Sequence, residues 1–385
     1  MKIALLALML VASPATNDFM IGIVAYHIPF ESYKIGSEDI AKISGSGAGW
    51  IAVDFAWRDI ESEKGSFDFS YYDAMVAEAG KKGIRIFARV GNGYNGVRST
   101  VPEWSQSLSR EEYNRYIERY ASAVAERYGD GIDYYAIENE PNNFLIHVLS
   151  EWRTALLPEK EMLSTMRAIA RGVLKGDESA IMALSISLSP GYLEWIDRAK
   201  GYVDFDLIAL NAYKSPAVLG REIERLRAMG YRVVVLETGL STFYRSEEEQ
   251  AEFVKNAMIA SYNAGAEGVF VYTYKDNEEE TNAKERSFGL IRSDGTEKQA
   301  FKELTAVREI IENGEVNRIH ESESMKDRLS ILLLESKSAS ILINIYLYII
   351  ASLFLSFQPF QRLYNHLMDY QSISKLVNSL NLAGI

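Results

Sequence analysis

Two glutamates stand at the ends of apolar, strand-like runs. Glu140 closes the run Ile132–Glu140, and Pro141 follows it. Because proline cannot donate to a β-ladder, the strand must end there. Glu237 closes the run Arg232–Glu237 in the same way. Parallel sheets and barrels place their chemistry at the carboxyl ends of strands. We therefore expect the two acids to share one cavity, where they can act in acid–base and nucleophilic catalysis.

Eight apolar runs alternate with amphipathic segments, and the runs are nearly continuous in aliphatic residues, as strands covered on both faces should be. Capping boxes are predicted at Ser70, Ser109 and Ser246. Eight strand–helix units in about 290 residues predict a (β/α)8 TIM barrel. A doubly wound sheet is the alternative, but it requires a glycine-rich turn after the first strand. The predicted strands are Met20–Tyr26, Gly49–Phe55, Ile84–Val90, Ile132–Glu140, Ile181–Leu188, Phe205–Tyr213, Arg232–Glu237 and Gly268–Tyr274.

The charge and the composition argue against several classes of partner and cofactor. A net charge of −12, without a cluster of basic residues, argues against a nucleic-acid partner. With no cysteine and four scattered histidines, neither a disulfide nor a zinc motif is visible. We therefore expect no cofactor, no metal and a neutral substrate. Cleavage of a glycosidic bond fits, since it uses one carboxyl group as acid/base and a second, about 5–5.5 Å away, as nucleophile.

Four sequence elements resemble the clan A retaining glycoside hydrolases, which have (β/α)8 barrels. The first is Asn139-Glu140-Pro141, and the second is Glu237 at the end of the seventh strand. The segment 55–68 is similar to the run that follows strand two in the clan, and 288–298 is similar to the segment that enters its last helix. The resemblance covers residues 20–312. It implies that Glu140 is the acid/base and Glu237 the nucleophile. Families 39, 5 and 42 are the nearest, and the exact family stays open.

The remaining candidates are expected to bind the sugar. The clan usually has an arginine near the end of strand two, where this chain has Ala52 or Asp54. It usually has a tryptophan at the end of strand eight, where this chain has only tyrosines. The resemblance also implies that a tyrosine after strand six hydrogen-bonds the nucleophile. The predicted substrate-binding residues are Asn139, Tyr213, Asn211, Trp57, Tyr272, Tyr274, Arg89 and His27.

The chain ends predict export and anchoring. Residues 1–15 resemble a signal peptide, with a buried first strand as the alternative. The barrel is expected over 16–312, a polar linker over 313–337 and a short tail over 362–385. Residues 338–361 lack charge and are long enough to span a bilayer. A docking helix, or a stretch that belongs to no fold, is the alternative for this segment. The predicted location is the extracellular face, membrane-anchored, with simple secretion as the alternative.

The predicted function is retaining hydrolysis of β-glycosidic bonds in an oligo- or polysaccharide. A barrel that binds surface glycans without turnover is one alternative, and the missing strand-two arginine is its best support. A transglycosylase is the other, because it uses the same residues and differs only in the acceptor. The sequence does not specify the sugar, the linkage or the oligomeric state.

Overall fold

The eight predicted strands form one closed parallel barrel in which the strands pair in chain order. The computed structural model describes residues 19–25, 34–91, 101–143, 159–278, 283–316 and 324–335. The TIM-barrel prediction is confirmed, although several strands are shorter than expected. The strands are β1 Met20–Val24, β2 Trp50–Phe55, β3 Arg85–Val90, β4 Tyr134–Ile137, β5 Ile181–Ser187, β6 Leu207–Asn211, β7 Arg232–Thr238 and β8 Gly268–Val271.

Helices cover the outside of the barrel. The capping boxes at Ser109 and Ser246 are confirmed, because each hydroxyl accepts the N–H of the glutamate three residues on. The capping box at Ser70 is wrong. The N-cap there is Phe69, and the carboxylate of Asp68 accepts the Ser70 N–H instead (2.9 Å). The helices are α1 Ser37–Ser44, α2 Trp57–Ile60, α3 Ser70–Lys81, α4 Arg110–Tyr128, α5 Glu159–Gly176, α6 Tyr192–Ala199, α7 Pro216–Ala228, α8 Glu247–Asn263, α9 Gln299–Glu312 and α10 Met325–Glu335.

Two apolar layers stabilise the barrel. Alternate strand residues, such as Ala52, Phe87, Leu207 and Phe270, fill the interior, while the residues between them pack against the helices. This alternation follows from the two-residue period of a strand. At the carboxyl ends of β2, β3, β5 and β6, the same alternation directs polar side chains into the barrel. The interior is therefore apolar below and polar at the end that carries the predicted acids.

Strand β7 departs from the regular ladder just before Glu237. Leu210 pairs with Val235, but the next residue of β6 pairs with Glu237, so β7 has one extra residue. The pairing of β7 with β8 shows the same shift, because Val235 pairs with Val269 whereas Thr238 pairs with Val271. An extra residue of this kind reverses the side on which the following side chains lie. Regular alternation would place Leu236 inside and Glu237 outside, whereas the shift lets both face inward.

The segment that follows the barrel contains a helix. Residues 313–337 were predicted to be a polar linker, but α10 lies within them and packs on α7. The hydroxyl of Ser215 donates to Asp327 (2.5 Å), and the guanidinium of Arg221 pairs with Glu335 (3.2 Å). Among the described residues, no helix has the length and apolarity to span a membrane. Segments 1–15 and 338–361 lie outside the described residues.

Candidate active site

The two predicted acids lie at the same end of the barrel and influence each other electrostatically. Glu140 and Glu237 are 5% and 4% exposed, so both carboxyl groups are withdrawn from bulk water. Asn211 links them. Its backbone pairs with Glu237, and its side-chain amide donates to Asn139, the residue before Glu140 (3.0 Å). The end of β6 thus brings the end of β7 next to the segment that follows β4.

Glu140 is held as a carboxyl group that keeps its proton. Burial raises its pKa from 4.5 to about 7, and repulsion from Glu237 adds to the rise. The hydrogen bond from Asn143 (2.9 Å), the nearby amide of Asn211 and the charge of Arg89 oppose that rise without cancelling it. Desolvation and a neighbouring anion are the two conditions that favour a neutral carboxyl group. Near neutral pH, Glu140 can therefore supply a proton.

The carboxylate of Glu237 is held by two hydrogen-bond donors. One oxygen of its carboxylate accepts a hydrogen bond from the guanidinium of Arg89 (2.7 Å), and the other accepts from the hydroxyl of Tyr213 (2.6 Å). Hydrogen bonds of this length that involve a charged partner are among the strongest in proteins. Both carboxylate oxygens of Glu237 are thus fixed by hydrogen-bond donors.

The arginine beside Glu237 comes from β3. Arg89 is 2% exposed, and its Nε lies 3.4 Å from Oδ1 of Asp54 on β2. Asp54 was one of the two positions at which the clan's strand-two arginine was sought. The carboxylate found there holds an arginine that reaches over from the next strand. Although strand two has no arginine, the carboxylate of Glu237 still has a guanidinium partner, which Arg89 supplies from β3.

The segment that carries Glu140 is bent and firmly attached. Glu138 and Glu140 have φ values of 58° and 49°, which are uncommon for residues other than glycine. Asn142 anchors the segment to β5, because its amide donates to Ser187 O (2.8 Å) and accepts from Ser187 N (2.8 Å). Strain of this kind persists only where surrounding contacts enforce it. The position of Glu140 is therefore set by contacts of the loop, not by regular strand geometry.

The asparagines predicted to bind substrate lie within the same cluster. Asn139 is 5% exposed, and its side-chain oxygen accepts from the amide of Asn211 (3.0 Å). Ser185 of β5 is 3.5 Å away from that oxygen. Asn142, Asn143, Ser185 and Asp54 were not predicted. The two-residue period of β2 and β5 turns Asp54 and Ser185 into the barrel, and this was the only signal in the sequence for any of the four.

Comparison with known proteins finds similar barrels and one partial family match. Residues 30–107 match the model of glycoside hydrolase family 42, described as beta-galactosidase. No curated protein matches the chain in sequence. Among solved structures, a family 39 glycoside hydrolase from Bacteroides cellulosilyticus WH2 is 19% identical, with a TM-score of 0.58 over 78% of this chain and 65% of that one. The family 1 β-glucosidase of Exiguobacterium antarcticum B7 is 14% identical, with a TM-score of 0.61 over 79% and 99%.

The chain forms a TIM barrel similar to those of clan A glycoside hydrolases. Both the partial family match and the similar solved structures are to glycoside hydrolases. Native xylanase 10C from Cellvibrio japonicus aligns equally well, with 13% identity and a TM-score of 0.61 over 77% of this chain and 71% of that one. Because similar structures come from several families, the family within clan A is not resolved. The chain also spans only 65% of the family 39 enzyme.

Two candidate aromatic residues are buried in the packing around the barrel. Trp57 is 1% exposed, stacks on Tyr120 (5.7 Å) and donates its indole N–H to Glu61 (2.8 Å). Tyr274 is 1% exposed within the outer apolar layer. Neither has a ring face open to a sugar, so the expectation that both bind substrate was wrong. The motif around Trp57 and Glu61 instead attaches the segment after β2 to α4.

Tyr272 remains beside the acids. Its ring packs edge-on against Tyr213 (5.9 Å) and Phe288 (5.3 Å), and it is half-buried. Gly239, two residues after Glu237, has no room for a side chain, since a Cβ would collide with the carbonyl oxygen of Tyr272. The carboxyl ends of β7 and β8 are thus in close contact. His27 lies outside the described residues.

Proposed function

We propose that the protein is a retaining β-glycosidase in which Glu237 is the nucleophile and Glu140 the acid/base. The observation that carries this assignment is the contrast between the two carboxyl groups. One is buried, with its pKa raised to about 7, and the other is held by a guanidinium and a phenol. Pairs of acids whose environments differ in this way commonly divide the roles of proton donor and charged partner.

In the proposed first step, Glu237 attacks the anomeric carbon while Glu140 gives its proton to the leaving glycosidic oxygen. The bond to the leaving group breaks as the bond to the Glu237 oxygen forms, which yields a glycosyl–enzyme ester and a free alcohol. In the second step, Glu140, now ionised, takes a proton from water. The resulting hydroxide equivalent displaces Glu237 and restores both groups. Arg89 and Tyr213 are expected to orient the attacking carboxylate.

The assignment is tested by azide rescue of two variants of the full chain. With Glu237→Ala and a 4-nitrophenyl β-glycoside, azide should restore turnover and form the glycosyl azide of inverted configuration. With Glu140→Ala and a 2,4-dinitrophenyl β-glycoside, which needs no proton, azide should form the azide of retained configuration. Each variant is the control for the other. If the two configurations are exchanged, the roles are exchanged, and if neither azide forms, covalent catalysis is refuted.

The same substrates separate the alternatives. Sugar binding without any turnover by the wild-type protein would identify a glycan-binding barrel. Predominant formation of longer products, in place of reducing sugar, would identify a transglycosylase. A bound carbohydrate is required in each case, whereas a nucleic-acid partner is not expected from the net charge of −12.

We also propose that the barrel is exported and tethered to the membrane. This rests on residues 1–15 and 338–361, whose composition resembles a signal peptide and a membrane span. Fractionation of cells that express the full chain tests it. Recovery in the membrane fraction, and release after removal of 338–361, would support the tether, whereas recovery of the full chain in the soluble fraction of lysed cells would refute it.

A further inference from the structure

Three aromatic side chains are exposed in the part of the chain that the structure describes: one hydrogen-bonds Glu237, and the other two lie on the loop that follows the strand of Glu237. Tyr213 (37% exposed) follows β6, while Phe243 (44%) and Tyr244 (50%) lie between β7 and α8. Every other described aromatic side chain is buried or half-buried. Exposure of large apolar rings is unfavourable, and a group of them on one rim often marks a binding surface.

The loop with the exposed pair is held in place. The N–H and the hydroxyl of Thr242 both donate to Ser287 O (2.9 and 3.1 Å). The hydroxyl of Ser241 donates to Lys284 O (2.7 Å) and accepts from the N–H of Phe243 (3.2 Å). The rings of Phe243 and Tyr244 also pack edge to face, 4.3 Å apart. The exposure of the pair is thus a property of an ordered loop.

The anchor of this loop lies next to the aromatic residues that surround Glu237. Phe288, which follows the Ser287 that anchors Thr242, packs against both Tyr213 (5.6 Å) and Tyr272 (5.3 Å). Tyr213 in turn donates to Glu237. We call these five rings the aromatic strip: Tyr213, Tyr272, Phe288, Phe243 and Tyr244.

We propose that Phe243 and Tyr244 form a subsite for a second sugar ring, beyond the one at which the bond is cleaved. This rests on the proposed glycosidase function and makes the substrate class an oligo- or polysaccharide, not a simple monoglycoside. Aromatic rings present broad apolar faces, which match the C–H faces of a pyranose and lose little conformational entropy on binding. The loop of Phe243 and Tyr244 is anchored at Ser287, beside the Phe288 that packs on Tyr213 and Tyr272, and this favours an extended substrate over an unrelated protein partner.

The test compares chain-length preference in two full-chain variants. Substrates are 4-nitrophenyl β-monoglycosides and oligosaccharides of two to six units from xylan, cellulose, β-1,3-glucan, mannan and β-1,4-galactan. In Phe243→Ala/Tyr244→Ala, the ratio of kcat/KM for the best oligosaccharide to that for the best monoglycoside should fall about tenfold or more, as expected for loss of an aromatic binding hot spot. Met229→Ala is the matched control, since Met229 is 48% exposed but precedes β7 at the opposite rim. Its ratio should be unchanged.

A second measurement keeps the inference separate from the proposed function. Soluble forms of the same polysaccharides are cast in native gels, and retardation is compared for the Glu140→Gln chain with and without the double substitution. If the wild type is active and the ratio is unchanged, the subsite is refuted. It is equally refuted if the double substitution changes only the oligomeric state. If the wild type cleaves nothing, the glycosidase proposal fails, and loss of gel retardation in the double variant still supports the subsite. No difference in retardation then refutes it.

Discussion

The buried carboxyl group of Glu140 predicts an unusual effect of one substitution on stability. Because its pKa rises from 4.5 to about 7 in the folded protein, the folded state holds a proton that the unfolded state has released between these values. Each pKa unit is worth about 1.4 kcal/mol, so ionised Glu140 costs the folded protein roughly 3 kcal/mol at high pH. Glu140→Gln removes that cost and should at the same time abolish cleavage of substrates with poor leaving groups.

The sign of the effect depends on pH. Below about pH 4.5 the carboxyl group is protonated in both states and contributes no difference. As pH rises from 4.5 to about 7, the unfolded state loses its proton first, so the free energy of unfolding of the wild type falls. Urea unfolding of the wild type and Glu140→Gln at pH 5, 6, 7 and 8 should therefore show an advantage of the variant that grows to roughly 3 kcal/mol.

Glu112→Gln is the control of opposite sign. Hydrogen bonds from Ser109 lower the pKa of Glu112, so its ionised form stabilises the fold above its ordinary pKa and that contribution is lost as pH falls. This variant should be less stable than the wild type by an amount that stays nearly constant from pH 5 to 8, because Glu112 is ionised in both the folded and the unfolded state over that range. A difference between the wild type and Glu140→Gln that stays constant from pH 5 to 8 would refute the electrostatic account of Glu140.

Three further predictions follow from single contacts. Asn143→Ala removes a hydrogen bond that lowers the pKa of Glu140, so the alkaline limb of the kcat/KM profile, expected near pH 7, should move to higher pH. An unmoved limb would mean that another group controls it. Tyr213→Phe removes the 2.6 Å hydrogen bond to Glu237, the proposed nucleophile, and should lower kcat about 10- to 100-fold with little change in thermal midpoint. A kcat within twofold of wild type would contradict that role. Ser246→Ala should cost about 1 kcal/mol of unfolding free energy, whereas Ser70→Ala, which loses no cap, should cost almost nothing. Equal losses in denaturant titrations would show that the caps are not the cause.

The sequence predicted the barrel and the acids because both depend on local pattern. Continuous apolar runs specify buried parallel strands, and a proline after Glu140 specifies where one of them ends. Capping boxes were predicted correctly where the serine precedes the helix, as at Ser109 and Ser246. At Ser70 the motif is present, but Asp68 takes the backbone N–H and Asp73 pairs with Arg127 (2.6 Å) instead. Competition among neighbouring donors and acceptors is not visible in a four-residue motif.

The site contacts that were missed depend on positions across the barrel. Arg89 was a candidate for sugar binding, but its pairing with Asp54 and Glu237 joins three strands and leaves no local signature. Trp57 and Tyr274 were misplaced for a related reason. Each lies just beyond a strand, where chain direction changes and the two-residue period no longer indicates which way a side chain points.

The extra residue in β7 limits how this pair of acids can be transplanted. In an idealised barrel made from eight identical units, every strand keeps strict parity, and an acid at the position of Glu237 would then point into the surrounding helices. A designer who copies the amino acids without the insertion would obtain a folded but inert scaffold. The inward direction of Glu237 thus depends on one extra residue that breaks the regular repeat of the barrel.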